Sequence, residues 1–219
     1  MTALTRPTAP VSPAAPARRT ARFWRATRAQ FVNELRLLAR DPAAMLFAAV
    51  LPLVAITVMA AIPTAREPLA DFGGLSVLQS YTPTITLFAT SIIGLTLLPG
   101  TLGGYRELGV LRRLRTTPAS PSGLLLALFA VMAALGVVVA VLIVLIPAGF
   151  GVGLPQNLAS FALAAMLSLL SFVALGALLA AVIPNAKAAA GVGNAVAAVM
   201  WFAAGMWLPR VHFPGWLTT

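Results

Sequence analysis

Side chains able to do chemistry are scarce in this chain of 219 residues. There is no cysteine and only one histidine, His212, so thiolate nucleophiles, disulfides and a histidine-built metal site are excluded together. No Gly-x-x-x-x-Gly-Lys-Ser/Thr run is present to cradle a nucleotide phosphate, and the single lysine, Lys187, stands in the context Asn185-Ala-Lys-Ala. Gly149, Gly151 and Gly153 alternate, but no strand precedes them, and they read as a turn. With no paired acid and base, the sequence reads as a non-enzyme that binds no metal or cofactor of its own.

Two polar patterns remain. Thr82, Thr86 and Thr90 recur every fourth residue, which places three hydroxyls on one face of a helix. They suit either helix packing, with hydroxyls bonded across helices or to their own backbone, or a weakly polar passage for a substrate. The second pattern is the charged run Arg106-Glu107-Leu108-Gly109-Val110-Leu111-Arg112-Arg113-Leu114-Arg115. Its leucines at 108, 111 and 114 form an apolar edge on an otherwise charged short helix. That edge suits a handle for a partner, or a solvated basic loop.

The elements that carry these patterns follow from composition. Charged residues make up 9% of the sequence and hydrophobic ones 60%, against roughly 25% charge in an average soluble domain. Such a chain has too little polar surface to coat a soluble core. A helix crosses the ~30 Å hydrocarbon layer with about 20 apolar residues. Charge-free stretches of that length predict five spans at about 43–62, 81–104, 122–147, 157–183 and 188–208. All must be helical, because lipid offers a backbone amide no partner. The expected fold is all-α and polytopic.

The net charge of +10 does not point to nucleic acid, because it is gathered at the ends of spans. Eight of the fifteen basic residues precede position 41, four lie in 106–115 and the remainder are Arg66, Lys187 and Arg210. Placing the N-terminus inside puts thirteen of them on the cytoplasmic side and two outside. The spans themselves hold no Asp, Glu, Lys or Arg, which counts against ion-coupled transport.

Residues 1–19, with proline at 7, 10, 13 and 16, read as a disordered cytoplasmic tail. Residues 20–41 read as an amphipathic helix in the headgroup layer. Trp24, Phe31, Leu35 and Leu38 share one face and Arg22, Arg25, Arg36 and Arg40 the other. The alternative is a plain basic flank. Asp41-Pro42 is placed to cap and start the first span. The membrane-spanning body is expected over 42–219.

Three segments in order resemble the membrane subunit of type-two ATP-binding-cassette (ABC) exporters, of the daunorubicin-resistance type. They are Glu34-Leu-Arg36-Leu-Leu-Ala-Arg40-Asp41-Pro42 with Leu51-Pro52, the segment Arg106 through Pro118, and Gly205-Met206-Trp207-Leu208-Pro209 followed by Pro214-Gly215-Trp216-Leu217. The resemblance implies a connecting helix, a coupling segment over 105–118 and an external segment over 209–219 that includes Trp207, Pro209, Pro214 and Trp216. It implies that two permeases, as copies or paralogues, dock on ABC ATP-binding subunits that hold ATP and magnesium. Export of a drug, antibiotic or other amphipathic substrate across a bacterial plasma membrane follows. Arg106, Glu107, Gly109, Leu111 and Leu114 would then meet the ATPase, with Glu107 setting charge complementarity and Gly109 allowing close backbone approach.

The resemblance also implies six spans, whereas Thr219 falls where the sixth would begin. A fragment or a natural loss of one helix are the two explanations. With the second comes an alternative function, a degenerate permease serving as a membrane scaffold or regulator. Membrane lipids are expected partners in either case; nucleic acid is not.

Overall fold

A computed structural model describes residues 16–114 and 121–206. Among them the chain is helical apart from turns, and the one β feature is an isolated bridge between Pro68 and Ser76. The proline-rich stretch before Pro16, the end of the coupling segment and Trp207, Pro209, Pro214 and Trp216 lie outside the described residues.

The first helix, α1 (Pro16–Ala39), begins within the predicted tail and runs through the predicted amphipathic segment. Among the described residues five helices are long and apolar enough to cross a membrane: α2 (Pro42–Ala61), α3 (Val77–Glu107), α5 (Pro121–Gly149), α6 (Leu158–Val182) and α7 (Ala186–Ala203). The short α4 (Val110–Leu114) follows α3. Asp41 starts α2 by accepting the Ala44 N–H at 3.0 Å, with Pro42 at the first helical position. Ser76 and Gln79 close a reciprocal capping box at the start of α3. At 31 residues, α3 is about 46 Å long, longer than the ~30 Å hydrocarbon layer. It is also the central helix: 67% of its most apolar window is buried, against at most 33% in the other four.

Two interruptions in the spans share one cause. Proline has no N–H to donate and its ring crowds the carbonyl four residues back. Upstream of Pro52 the helix widens into a π turn at Leu46–Val50, and upstream of Pro99 it does so at Ile92–Leu97. At the second, the Leu98 N–H goes to the Ile93 carbonyl. The Gly94 carbonyl is thereby denied both its α and its π donor, and the Leu95 carbonyl faces the missing proline N–H.

Those two carbonyls point at neighbouring helices where glycine stands. A Cβ on Gly176 of α6 would lie 1.8 Å from the Gly94 oxygen, and one on Gly193 of α7 would lie 1.6 Å from the Leu95 oxygen. Only glycine fits, and its Cα–H groups cover oxygens that lipid could not satisfy. Around this contact Ile93, Leu98, Leu128, Met132 and Leu169 form the core on one side, and Leu95, Phe172 and Ala197 on the other.

On the outer side the turns are tied together by Arg66, whose Nη1 donates to the Phe150 carbonyl at 3.2 Å. Its guanidinium also lies 5.9 Å from the Phe150 ring centroid.

Replacing Gly193 with Ala should destabilise the fold by about 2–3 kcal/mol, because backbone rather than a flexible side chain obstructs the methyl. Gly104→Ala is the control, since nothing lies within 4 Å of its Cβ position. Thermal unfolding of the two variants in detergent should separate them clearly; equal melting would refute the close-approach argument.

Candidate functional site

The charged run after α3 is organised by its first two residues. The C-terminus of α6 leaves carbonyls without donors, and Pro184 makes this worse because it cannot reach back to Ala180. Arg106 supplies the donors. Its Nη1 donates to the Ala180 carbonyl at 2.8 Å and grazes that of Ala181 at 3.5 Å, while Nη2 donates to the Ile183 carbonyl. Glu107 serves the next helix: the Ala186 N–H, at the start of α7, donates to its Oε1 at 2.7 Å. Asn185 completes that end by accepting the Ala188 N–H at 2.9 Å. A cation thus sits at the negative end of α6 and an anion at the positive end of α7, the arrangement that favours both helix dipoles.

The sequence expectation gives both residues to a partner interface, and their bonds inside the chain add a structural role. Within this chain their charges are used on the α6–α7 turn, so Glu107 acts first as a helix cap. Gly109 has φ +67° with open space where a Cβ would stand, so within this chain it ends α3 by its left-handed conformation. Leu108 is 71% exposed beside it. Leu111 and Leu114 lie on α4, but their side chains are outside the description.

The threonine row lies inside the bundle. Thr82, Thr86 and Thr90 are all buried. Their hydroxyls donate to the carbonyls of Leu78, Thr82 and Thr86 at 2.8, 2.9 and 2.9 Å. Bonds to the preceding turn satisfy each hydroxyl without a ligand. Thr90 borders an apolar cleft of about 290 Å³ between α5 and α6, and none of the three borders the larger cavity described next.

That cavity, about 1270 Å³, lies between α2, α3, α5 and α7, with α1 at its inner end. Its inner end holds Glu34 and Asp41, its middle Thr96, and its outer end Phe88 and Trp201. Phe88 and Trp201 meet edge-on with centroids 4.7 Å apart, and the Trp201 indole N–H donates to Ser91 Oγ at 2.7 Å.

Glu34 is only 5% exposed and accepts the Tyr105 hydroxyl at 2.6 Å on Oε2, which joins α1 to the end of α3. The buried face of α1 is therefore Thr27, Glu34 and Leu38, while Trp24 and Leu35 of the expected apolar face stay largely exposed. Of that expected face only Leu38 is buried, so α1 docks through a side rotated toward its polar residues. A lone carboxylate seven residues from Thr27 and four from Leu38 was the available signal.

Burial pushes the Glu34 carboxyl up from its ordinary value, and the Tyr105 hydrogen bond pulls partway back. A raised folded-state value means that the folded protein holds the proton more tightly than the unfolded chain. The associated stability is complete below the ordinary value of 4.5 and is lost as pH rises through the raised one. Glu34→Gln keeps an acceptor for Tyr105 and removes the ionisation. Relative to that variant, the wild type should lose thermal stability as pH climbs from 4.5 toward neutrality; parallel melting curves would contradict it. Arg106→Ala should cost roughly 2 kcal/mol by stranding the α6 carbonyls. Faster protease cleavage at the α6–α7 turn would register this, and an unchanged rate would count against the clamp.

The ABC-2 type transporter family model matches residues 25–219. No curated protein and no solved structure matches.

Proposed function

The chain belongs to the ABC-2 type transporter family, and from that membership we propose that it is the membrane-spanning permease subunit of an ATP-driven exporter. Its cargo is a drug, antibiotic or other amphipathic substrate, moved out of the cell across a bacterial plasma membrane. A separate ABC ATP-binding subunit supplies hydrolysis, holding ATP and magnesium, and this chain needs no cofactor of its own. A second permease, a copy or a paralogue, completes the membrane assembly within the surrounding lipids.

The observation that carries this reading is the join between α4 and three spans. Gly109 turns the chain from α3 into α4, and one residue earlier Leu108 presents an exposed apolar side chain at the inner end. The two residues before that, Arg106 and Glu107, grip the turn between α6 and α7. A partner seated on Leu108 and α4 would therefore displace α3, α6 and α7 together. Arg106 and Glu107 are positioning residues in this scheme, and Leu108, Gly109, Leu111 and Leu114 supply the contact.

Leu108→Asp and Glu107→Lys should separate contact from positioning. Leu108→Asp should abolish co-purification of the ATPase from native membranes while leaving the melting temperature unchanged. Glu107→Lys places a cation at the positive end of α7 and should lower the melting temperature as well as export. Normal export by Leu108→Asp, or recovery of the wild-type chain without an ATPase under gentle conditions, would overturn the coupling role and favour a scaffold function.

A further inference from the structure

The cavity between α2, α3, α5 and α7 is polarised along its length. Among the described residues its charged lining is two acids, Glu34 and Asp41, with no arginine or lysine. Both acids stand at one end. Asp41 already uses its carboxylate on the first turn of α2, whereas Glu34 is buried with the Tyr105 hydroxyl on one oxygen. The other walls are apolar or aromatic, apart from small polar groups. One of these is the Thr96 hydroxyl, buried without a hydrogen-bond partner.

Length adds a second constraint. Tyr105 and Phe88, at the two ends, are seventeen residues apart on α3, a rise of about 25 Å. That nearly spans the ~30 Å hydrocarbon layer. Glu34 lies on α1, at the cytoplasmic end by the charge bias. Phe47 and Leu51 of α2 and Gly191 and Asn194 of α7 rim the cavity and are exposed, so among the described residues it opens sideways between those helices.

We propose that this cavity binds an amphiphile with a cationic ammonium head, which sits at Glu34 while its apolar tail runs along α3 to Phe88 and Trp201. The head's charge offsets a carboxylate held in apolar surroundings, where an isolated anion is costly. An anionic head would instead be repelled by Glu34 and Asp41. The tail matches the apolar walls in kind and the cavity in length. A head at cytoplasmic headgroup level and a tail in the layer describe a molecule drawn from the inner leaflet. Its role as cargo rests on the permease reading above; the binding site itself does not.

Tryptophan quenching tests it directly. The full chain is reconstituted in phosphatidylcholine vesicles and titrated with a trimethylammonium amphiphile brominated near the tail end. The matched probe is the bromoalkyl sulfate of equal length. Subtracting the same titration of Trp201→Phe isolates the Trp201 signal. Saturable quenching of Trp201 by the ammonium probe is expected at roughly tenfold lower concentration than by the sulfate, with Glu34→Gln removing that preference. Gly191 has nothing within 4 Å of its Cβ position, so Gly191→Phe fills the cavity from its rim and should suppress the Trp201 quenching. Equal quenching by both heads in the wild type, or a preference that survives Glu34→Gln, would overturn the proposal. Because no ATPase is present, failure here leaves the permease reading intact, and loss of ATPase co-purification leaves this site intact.

Discussion

Everything near the centre of this protein is arranged around carbonyl groups that a proline has deprived of donors. In water such groups would be solvated, and a proline in mid-helix would cost about 3 kcal/mol. In a bilayer each must find cover within the protein. Pro99 sits in the middle of the helix that every other span packs against. Its π turn exposes two oxygens toward α6 and α7, and Gly176 and Gly193 seat directly on them. The glycines, so often read as flexible points, here fix the distance between three helices. Side-chain burial around them then follows from how near the backbones have been allowed to come.

The same shortage of donors and acceptors explains the inner end. Pro184 strands a carbonyl of α6, and the next helix begins with unpartnered N–H groups. Arg106 and Glu107 satisfy both ends from a third helix. These two side chains, adjacent in sequence, point to opposite helix termini because the turn between α6 and α7 brings those termini side by side. A charged pair next to the short helix α4 is therefore part of the fold.

Much of the fold was legible because charge-free length reports directly on the bilayer. The stretches from Ala43 and from residue 122 predicted helices whose observed bounds, Pro42–Ala61 and Pro121–Gly149, differ by a residue or two. The second span was longer than its apolar run, because capping at Ser76 and termination at Gly109 set its ends rather than hydropathy. Contacts between helices were the illegible part. Nothing local says that Glu34 will meet Tyr105, or that Glu107 will cap Ala186, since each pair is separated by more than seventy residues. The threonine row was visible as a pattern, but periodicity alone cannot tell a hydroxyl facing a passage from one folded back on its own helix. Small residues behaved similarly: Gly176 and Gly193 are at close contacts, whereas Gly104 has open space around it.

These constraints determine how the molecule can yield to force. Bending α3 away from α6 or α7 would uncover the Gly94 and Leu95 oxygens and break the Arg106 and Glu107 contacts at once. The packing against α1, α2 and α5 is of another kind: apolar contacts, the Glu34–Tyr105 hydrogen bond and the walls of a large cavity dominate it among the described residues. Sliding apolar surfaces past one another inside lipid costs little hydrophobic free energy, because lipid tails replace the lost contacts. A displacement applied at Gly109 is therefore most cheaply accommodated by moving α3, α6 and α7 as one body against the others. The gap between the two bodies is the cavity, so its volume is the coordinate that such a motion changes first.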